Sequence, residues 1–299
     1  MPSKKPKPAA KRAPKKTTNK QLIAPTTIER FAHPFYDLTP AGSSSPQPAD
    51  AAAIAAFSAA KLEAIPAPKR NPPEMTLSDV IGAAGAAAIA SSGKITFHAF
   101  GDSGNPQSAN EEMVSDAMTA EYDTTNAAAS PAFLLHLGDV IYYDNTDSGY
   151  HEQFYAPYKR YPGKIIAIPG NHDGELFKFD GSSTGQKTTL GAFQDNFCLP
   201  TASVPPAAGT IYRQMVSQPG VYWRLAAPFV DVIGLYSNVG ETSGFISSPQ
   251  IGTAQKDWLV RTISGIAKAR ASGPRKAFVL AVHHPPYSNG GHEPSVGML

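Results

Sequence analysis

"KIIAIPGNHDG", residues 164–174, opens on an apolar run of strand length and stops at proline, glycine, asparagine, histidine and aspartate. A short apolar run bounded by turn residues reads as a buried strand that ends where the Pro-Gly pair begins. Such a strand presents an amide, Asn171, and an imidazole, His172, side by side at its end. Three other runs share this design: "KITFHAF" (94–100) leads into "GDSG", "AFLLHL" (132–137) into "GDVIYYD", and "KAFVLAV" (276–282) into "HHPPYS". Each stops at glycine, proline or histidine and offers Asp, Asn or His.

The strand candidates alternate with helix-like stretches, which predicts an α/β layer fold. In open α/β sheets, sites form beyond the carboxyl ends of strands, where the chain leaves the sheet and side chains from several strands converge. Asp102, Asp139, Asn171 and His283 would bring two carboxylates, one amide oxygen and one imidazole to such a place. That mixture suits borderline divalent and trivalent cations better than Ca²⁺, which prefers oxygen-only shells. A carboxylate also bridges ions, and two metals roughly 3.5–4 Å apart can clamp a phosphate ester and lower the pKa of a bound water.

Taken in order, "GDSG" at 101–104, "GDVIY" at 138–142, "GNHD" at 170–173 and "AVHHPP" at 281–286 resemble four of the five motifs of the calcineurin-like metallophosphoesterases. Gly104 stands where many members carry a ligand histidine, and Tyr142 follows Asp139 by three residues. This pairing resembles the purple acid phosphatase branch. The resemblance implies an α/β/β/α sandwich of two mixed sheets with helices outside, from about residue 75 onward. It also implies a dinuclear centre of Fe, Mn or Zn: Asp102 and Tyr142 on the first metal, Asp139 as the bridge, Asn171 and His283 on the second. His172 then stands over the reacting phosphate as acid or hydrogen-bond donor, and His292 matches a further substrate-contacting histidine. The implied reaction is phosphoester hydrolysis, as a phosphatase or a phosphodiesterase, with a metal-bound hydroxide as nucleophile. Tyr143, next to Tyr142, leaves the choice of phenol open.

The family's fifth motif, GH-x-H, does not occur in the 299 residues. Because it supplies one ligand to each metal from a late strand, the resemblance implies a catalytic domain that is C-terminally incomplete. A second reading follows from this: a non-catalytic fragment or pseudoenzyme tethered to polyanions by a basic arm.

That arm is visible in the charge pattern. The net charge of +2 hides eight Lys or Arg and no acid in residues 1–20, leaving 18 basic against 24 acidic residues elsewhere, near −6. "MPSKKPKPAAKRAPKKTTNK" has no apolar periodicity and is expected to be disordered. It reads either as a loose contact for nucleic acid or another polyanion, or as a solubilising extension. No apolar h-region follows it, no 18-residue apolar stretch occurs, and Cys198 is the sole cysteine, so a cytoplasmic protein without a transmembrane helix is expected. The expected organisation is a disordered basic arm and linker over 1–48, a helical lead-in over 49–93 and the catalytic domain over 94–299. Within the lead-in, "AAAIAAFSAAKLEAI" (51–65) and "TLSDVIGAAGAAAIASS" (76–92) read as helices, the second ended by Gly93.

The remaining candidates have plainer readings. Cys198 sits among apolar neighbours as a small buried hydrophobe. His98 and His136 lie inside strands as core histidines, with His98 on the face of Asp102 and His136 opposite Asp139. Residues 220–238 read as two strands of a second sheet around a proline turn, and Arg213 and Arg224 either as contacts for a phosphate or, the commoner role, as surface ion pairs. His284 follows His283 and is expected to point elsewhere.

Overall fold

The computed structural model describes residues 62–299 except 105–108, 124, 127, 179, 240–242, 289–293, 296, 297 and 299. The basic arm, residues 51–61 of the first expected helix and His292 therefore lie outside the described residues. Among the described residues seven strands, numbered along the chain, form two sheets: β1 Glu74–Thr76, β2 His98–Phe100, β3 Phe133–His136, β4 Lys164–Ala167, β5 Trp223–Ala226, β6 Val230–Gly234 and β7 Ala277–Ala281. Six α-helices accompany them there: α1 Leu77–Ser92, α2 Ala109–Thr119, α3 Asp147–Tyr150, α4 Asn171–Gly174, α5 Gly191–Phe197 and α6 Ala254–Ser272.

The first sheet has the order β2-β3-β4 and is parallel throughout. The second, β1-β5-β6-β7, is mixed, because β5 and β6 form an antiparallel pair around the expected proline turn while β1 and β7 run parallel to their neighbours. Strand alternation explains how the layers stack. Phe133, Leu135, Ile166 and Ile168 turn to one side of the first sheet and pack in one cluster with Trp223, Leu225, Val230 and Val232 of the second. Leu134, Ile165 and Ala167 turn to the other side and join Tyr150, Phe154, Tyr158, Phe193 and Phe197. A parallel strand covered on both faces has no polar face, and β3 is accordingly buried at every residue. The layered α/β arrangement expected from the sequence is thus present.

One hydrogen bond joins the sheets directly: the Trp223 indole donates to the Ala167 carbonyl at 3.0 Å. The Gln218 amide occupies both backbone groups of Ala167, accepting from its N–H at 2.7 Å and donating to its carbonyl at 2.9 Å, so buried backbone polarity at the end of β4 is satisfied.

Helix α1 starts where Thr76 and Asp79 close a capping box and ends at Gly93, whose φ of 73° supplies the left-handed stop. Gly82, at φ 79°, breaks it internally. Residues 74–93, inside the lead-in, thus add a strand and a helix to the body. The helix expected over 51–65 does not extend into its described end: Leu62 to Ile65 are irregular, the Ile65 amide donates to the Ile251 carbonyl, and Pro66 follows. A second departure concerns β7. It was expected to be buried, yet among the described residues it is an edge strand whose Phe278 and Leu280 are exposed. No described helix is long and apolar enough to cross a membrane.

Candidate metal centre

Strands β2 and β3 both end in Gly-Asp, and both aspartates adopt the left-handed conformation, Asp102 at φ 58° and Asp139 at φ 51°. Asp is among the few non-glycine residues that tolerate it. This conformation turns the chain sharply off the strand end, and the two loops then lace together: Asp102 N–H donates to the Gly138 carbonyl at 2.9 Å and Gly104 N–H to the Asp139 carbonyl at 3.2 Å. Lacing demands close backbone approach. A Cβ at Gly104 would lie 2.5 Å from Ile141 Cα, and one at Gly170 would lie 2.1 Å from Asp139 Oδ1, so neither position admits a side chain as the loops stand.

The loops bring three groups to one point. One ligand atom each from Asp102, Asp139 and His283 lie within 4.8 Å of one another. His283 Nε2 is 3.4 Å from Asp139 Oδ2 and 3.0 Å from Asn171 Oδ1. Tyr142 closes the other side, its hydroxyl donating to Asp102 Oδ1 at 3.4 Å. All five residues named as ligands from the sequence therefore meet, although they span 182 positions of chain from Asp102 to His283.

The donor set fits a cation on its own chemistry. The Leu137 carbonyl, 3.0 Å from His283 Nδ1, can only accept, so Nδ1 carries the ring proton. Nε2 then faces two oxygens, with the Asn171 amide in the orientation given. Two acceptors around one nitrogen need positive charge among them, either a second proton or a metal ion. Electrostatics say the same. Burial opposes charge on Asp139, but the hydrogen bond and charge of His283, aided by His172, outweigh it and hold the carboxyl below its ordinary range. Burial likewise opposes the His283 imidazolium, yet Asp139, Asp102 and the Leu137 carbonyl carry it up to about 9. Burial, then the charges of Asp139 and Asp102, push the Tyr142 phenol far above its usual range, so without a cation it keeps its proton.

His172 stands apart from this set by its side chain. Its backbone N–H donates to Asp139 Oδ1 at 3.0 Å, whereas its ring Nδ1 lies 3.0 Å from Glu175 Oε2. The ring packs against two phenols, Tyr142 at 4.5 Å and Tyr143 at 4.9 Å between centroids. One loop thus separates two jobs: Asn171 faces the metal candidates and His172 faces Glu175 and the aromatic wall.

Two residues of this region escaped the sequence reading. Asp173, fully buried, accepts from the amides of Gly170 at 2.8 Å and Val140 at 3.2 Å, tying the GNHD loop to the GDVIY loop. Burial and then the Asp139 charge push its carboxyl up to about 7, with the two amides pulling back. Its presence in GNHD was the available signal. Glu175 had only its place three residues after His172.

The other candidates stay out of the centre. His136 is fully buried, bonded to Ser103 Oγ at 2.8 Å, and burial drives its pKa down to about 3. His98 bonds Tyr161 Oη at 3.0 Å and Glu121 Oε2 at 3.2 Å. His284 turns away to Ser237 Oγ at 2.7 Å, its ring at 85° to that of His283. Arg224 pairs with Asp231 at 2.8 Å and Glu74 at 3.2 Å. Arg213 departs from the surface role expected of it: its guanidinium is turned inward onto the carbonyls of Tyr158, Tyr161 and Gly163. Cys198 is buried and free, as expected, and burial pushes its thiol up to about 12.

Residues 95–298 match the family model described as calcineurin-like phosphoesterase. No curated protein matches the chain.

Proposed function

The chain belongs to the calcineurin-like phosphoesterase family, and from that premise we propose that it is a metal-dependent phosphoester hydrolase of the purple acid phosphatase type with a dinuclear centre. The observation that carries the reading is the convergence of Asp102, Asp139 and His283 within 4.8 Å, two carboxylates and an imidazole from strands of two different sheets. In this proposal Asp102 and Tyr142 hold a first metal, Asn171 and His283 a second, and Asp139 serves both. Gly104 and Tyr142 support the branch assignment, since no histidine stands at position 104 and the Tyr142 hydroxyl donates to Asp102 Oδ1 at 3.4 Å. Fe, Mn and Zn all suit these donors.

Bound metal ions would supply Lewis acidity, making a nucleophile from water near neutral pH and offsetting phosphoryl charge. The chain's own residues do the rest. Asp139 and Asn171 orient the centre from loops tied together by Asp173. As the imidazolium, His172 holds a proton at Nε2 for the leaving-group oxygen, while Glu175 accepts from Nδ1–H and stabilises the positive charge. His292 is proposed to contact the substrate, and His284 to keep its partner Ser237.

The test is metal content together with hydrolysis of p-nitrophenyl phosphate. The protein extended to include the family's fifth motif is expected to take up close to two equivalents of Fe, Mn or Zn, and the 299-residue chain by itself to bind metal more weakly. Asp139→Ala is expected to lose most of both metals, with activity falling by more than the roughly 100-fold typical of removing an outer hydrogen-bond partner. Full metal retention by that variant would remove the bridge.

A further inference from the structure

Tyr143 is the residue of this region that neither the ligand set nor the acid–base chemistry uses, and its backbone is the least ordinary. Asp144 N–H donates to the Tyr142 carbonyl at 2.8 Å, an i to i+2 bond, and Tyr143 between them sits at φ 61°. A γ-turn with positive φ at its centre is the rare, strained form, and a bulky aromatic there is a true outlier.

The surroundings hold it in place. Gln153, 1 % exposed, brackets the preceding peptide by accepting from Tyr142 N–H at 2.8 Å and donating to Tyr142 O at 3.2 Å. On the other side Asn145 N–H donates to the Thr184 carbonyl at 2.6 Å. Strain that persists because neighbours over-determine it points to a use for the side chain it aims. Here the turn swings the Tyr143 ring out of the core. It is 41 % exposed, with its plane at 76° to the His172 ring and the centroids 4.9 Å apart. An exposed aromatic ring stands beside the imidazole assigned to the leaving-group oxygen.

We infer that Tyr143 is a specificity-determining residue, whose ring receives the aromatic leaving group of an aryl phosphoester. The inference rests on the hydrolase reading, because it is His172's proximity to the departing oxygen that brings the leaving group to Tyr143. An aryl group bonded to that oxygen lies within one ring's width of His172, where offset or edge-to-face contact with the phenol is available. An alkyl leaving group finds only part of that contact.

The experiment compares phenylphosphonate and methylphosphonate binding by titration calorimetry with Mn²⁺ present, for the full chain and for Tyr143→Gly and Tyr143→Phe. Glycine suits the positive φ and removes the ring without disturbing the turn; phenylalanine keeps the ring and removes only the hydroxyl. The wild type is expected to favour the phenyl ligand by about fivefold to tenfold, Tyr143→Phe to keep that preference, and Tyr143→Gly to bring it close to one, with methylphosphonate binding falling far less than phenylphosphonate binding. A wild-type ratio near one, no binding of either ligand, or a preference that survives in Tyr143→Gly would overturn the inference. Hydrolysis of phenyl phosphate, followed in parallel, separates the two readings. A Tyr143-dependent preference without turnover would sink the hydrolase reading and leave the aryl site standing. With turnover, Tyr143→Gly should raise KM for phenyl phosphate more than it lowers kcat.

Discussion

The three-stranded sheet and the edge strand β7 deliver side chains to the same centre on very different foundations. Strand β3 is buried at all four residues, and its sheet contributes Asp102 and Asp139 through loops laced backbone to backbone and Asn171 through a loop tied to them by the Asp173 and Asp139 carboxylates. Among the described residues strand β7 exposes Phe278 and Leu280 and pairs with β6 alone, yet it delivers His283 two residues past its end. What steadies His283 is the Leu137 carbonyl at 3.0 Å, a backbone atom that belongs to the first sheet's loop. Precision at a site therefore need not come from burial of the strand that carries the residue. Charge-assisted contacts to the better-packed element, here with Leu137, Asn171 and Asp139, can substitute.

The largest effect that would sharpen this contrast lies within the first sheet's own loops. If Asn171 binds and His172 reacts, His172→Ala keeps its metal and its fold while kcat falls by about 10²–10⁴, the range for a positioned acid or base. Metal analysis beside p-nitrophenyl phosphate kinetics checks this, and metal loss would move His172 into the coordination shell. Next comes the packing contrast itself. Phe133→Ala, at a fully buried position, is expected to cost about 3–5 kcal/mol in urea unfolding. Phe278→Ala, on the half-open strand, is expected to cost about 1 kcal/mol or less. Equal losses would break the comparison by showing β7 covered in solution.

The smallest effect is pH-dependent and belongs to the cover of the first sheet. Glu111, on α2, is 6 % exposed, and neither of its oxygens has a hydrogen bond of full geometry among the described residues. Burial raises its carboxyl from 4.5 to about 8, with the hydroxyls of Tyr158 and Ser103 offsetting only part. The folded chain then keeps a proton that the unfolded chain has released, so stability falls as pH rises between those two values, by up to about 1.4 kcal/mol per pH unit. Glu111→Gln is expected to flatten that slope in urea midpoints taken from about pH 5 to about pH 8. An unchanged slope would assign the dependence to another group.

The five residues proposed as ligands could be singled out in the sequence because four of them stand where an apolar run meets a turn and Tyr142 follows Asp139 by three residues. Sheet membership could not. "KIIAI" and "KAFVLAV" look alike in sequence, yet one is enclosed between layers and the other forms an edge, because neighbours distant in the chain decide which faces are covered. Tyr142 and Tyr143 are the same kind of case. Adjacent and identical in type, they differ only in backbone conformation, which the buried amide of Gln153 from another part of the chain helps to set.

By itself the sequence determined the alternation of strands and helices, the strand ends on which Asp102, Asp139, Asn171 and His283 stand, and the family to which the motifs point. Periodicity and turn chemistry are local, and they survive in the string of residues. Only the tertiary structure decided that Glu175 backs His172, that Asp173 ties two loops, that Arg213 turns inward, and that Tyr143 faces out beside the imidazole. Each of these depends on distances between atoms far apart in the chain or on a dihedral angle forced by packing, and neither is written in the order of the residues.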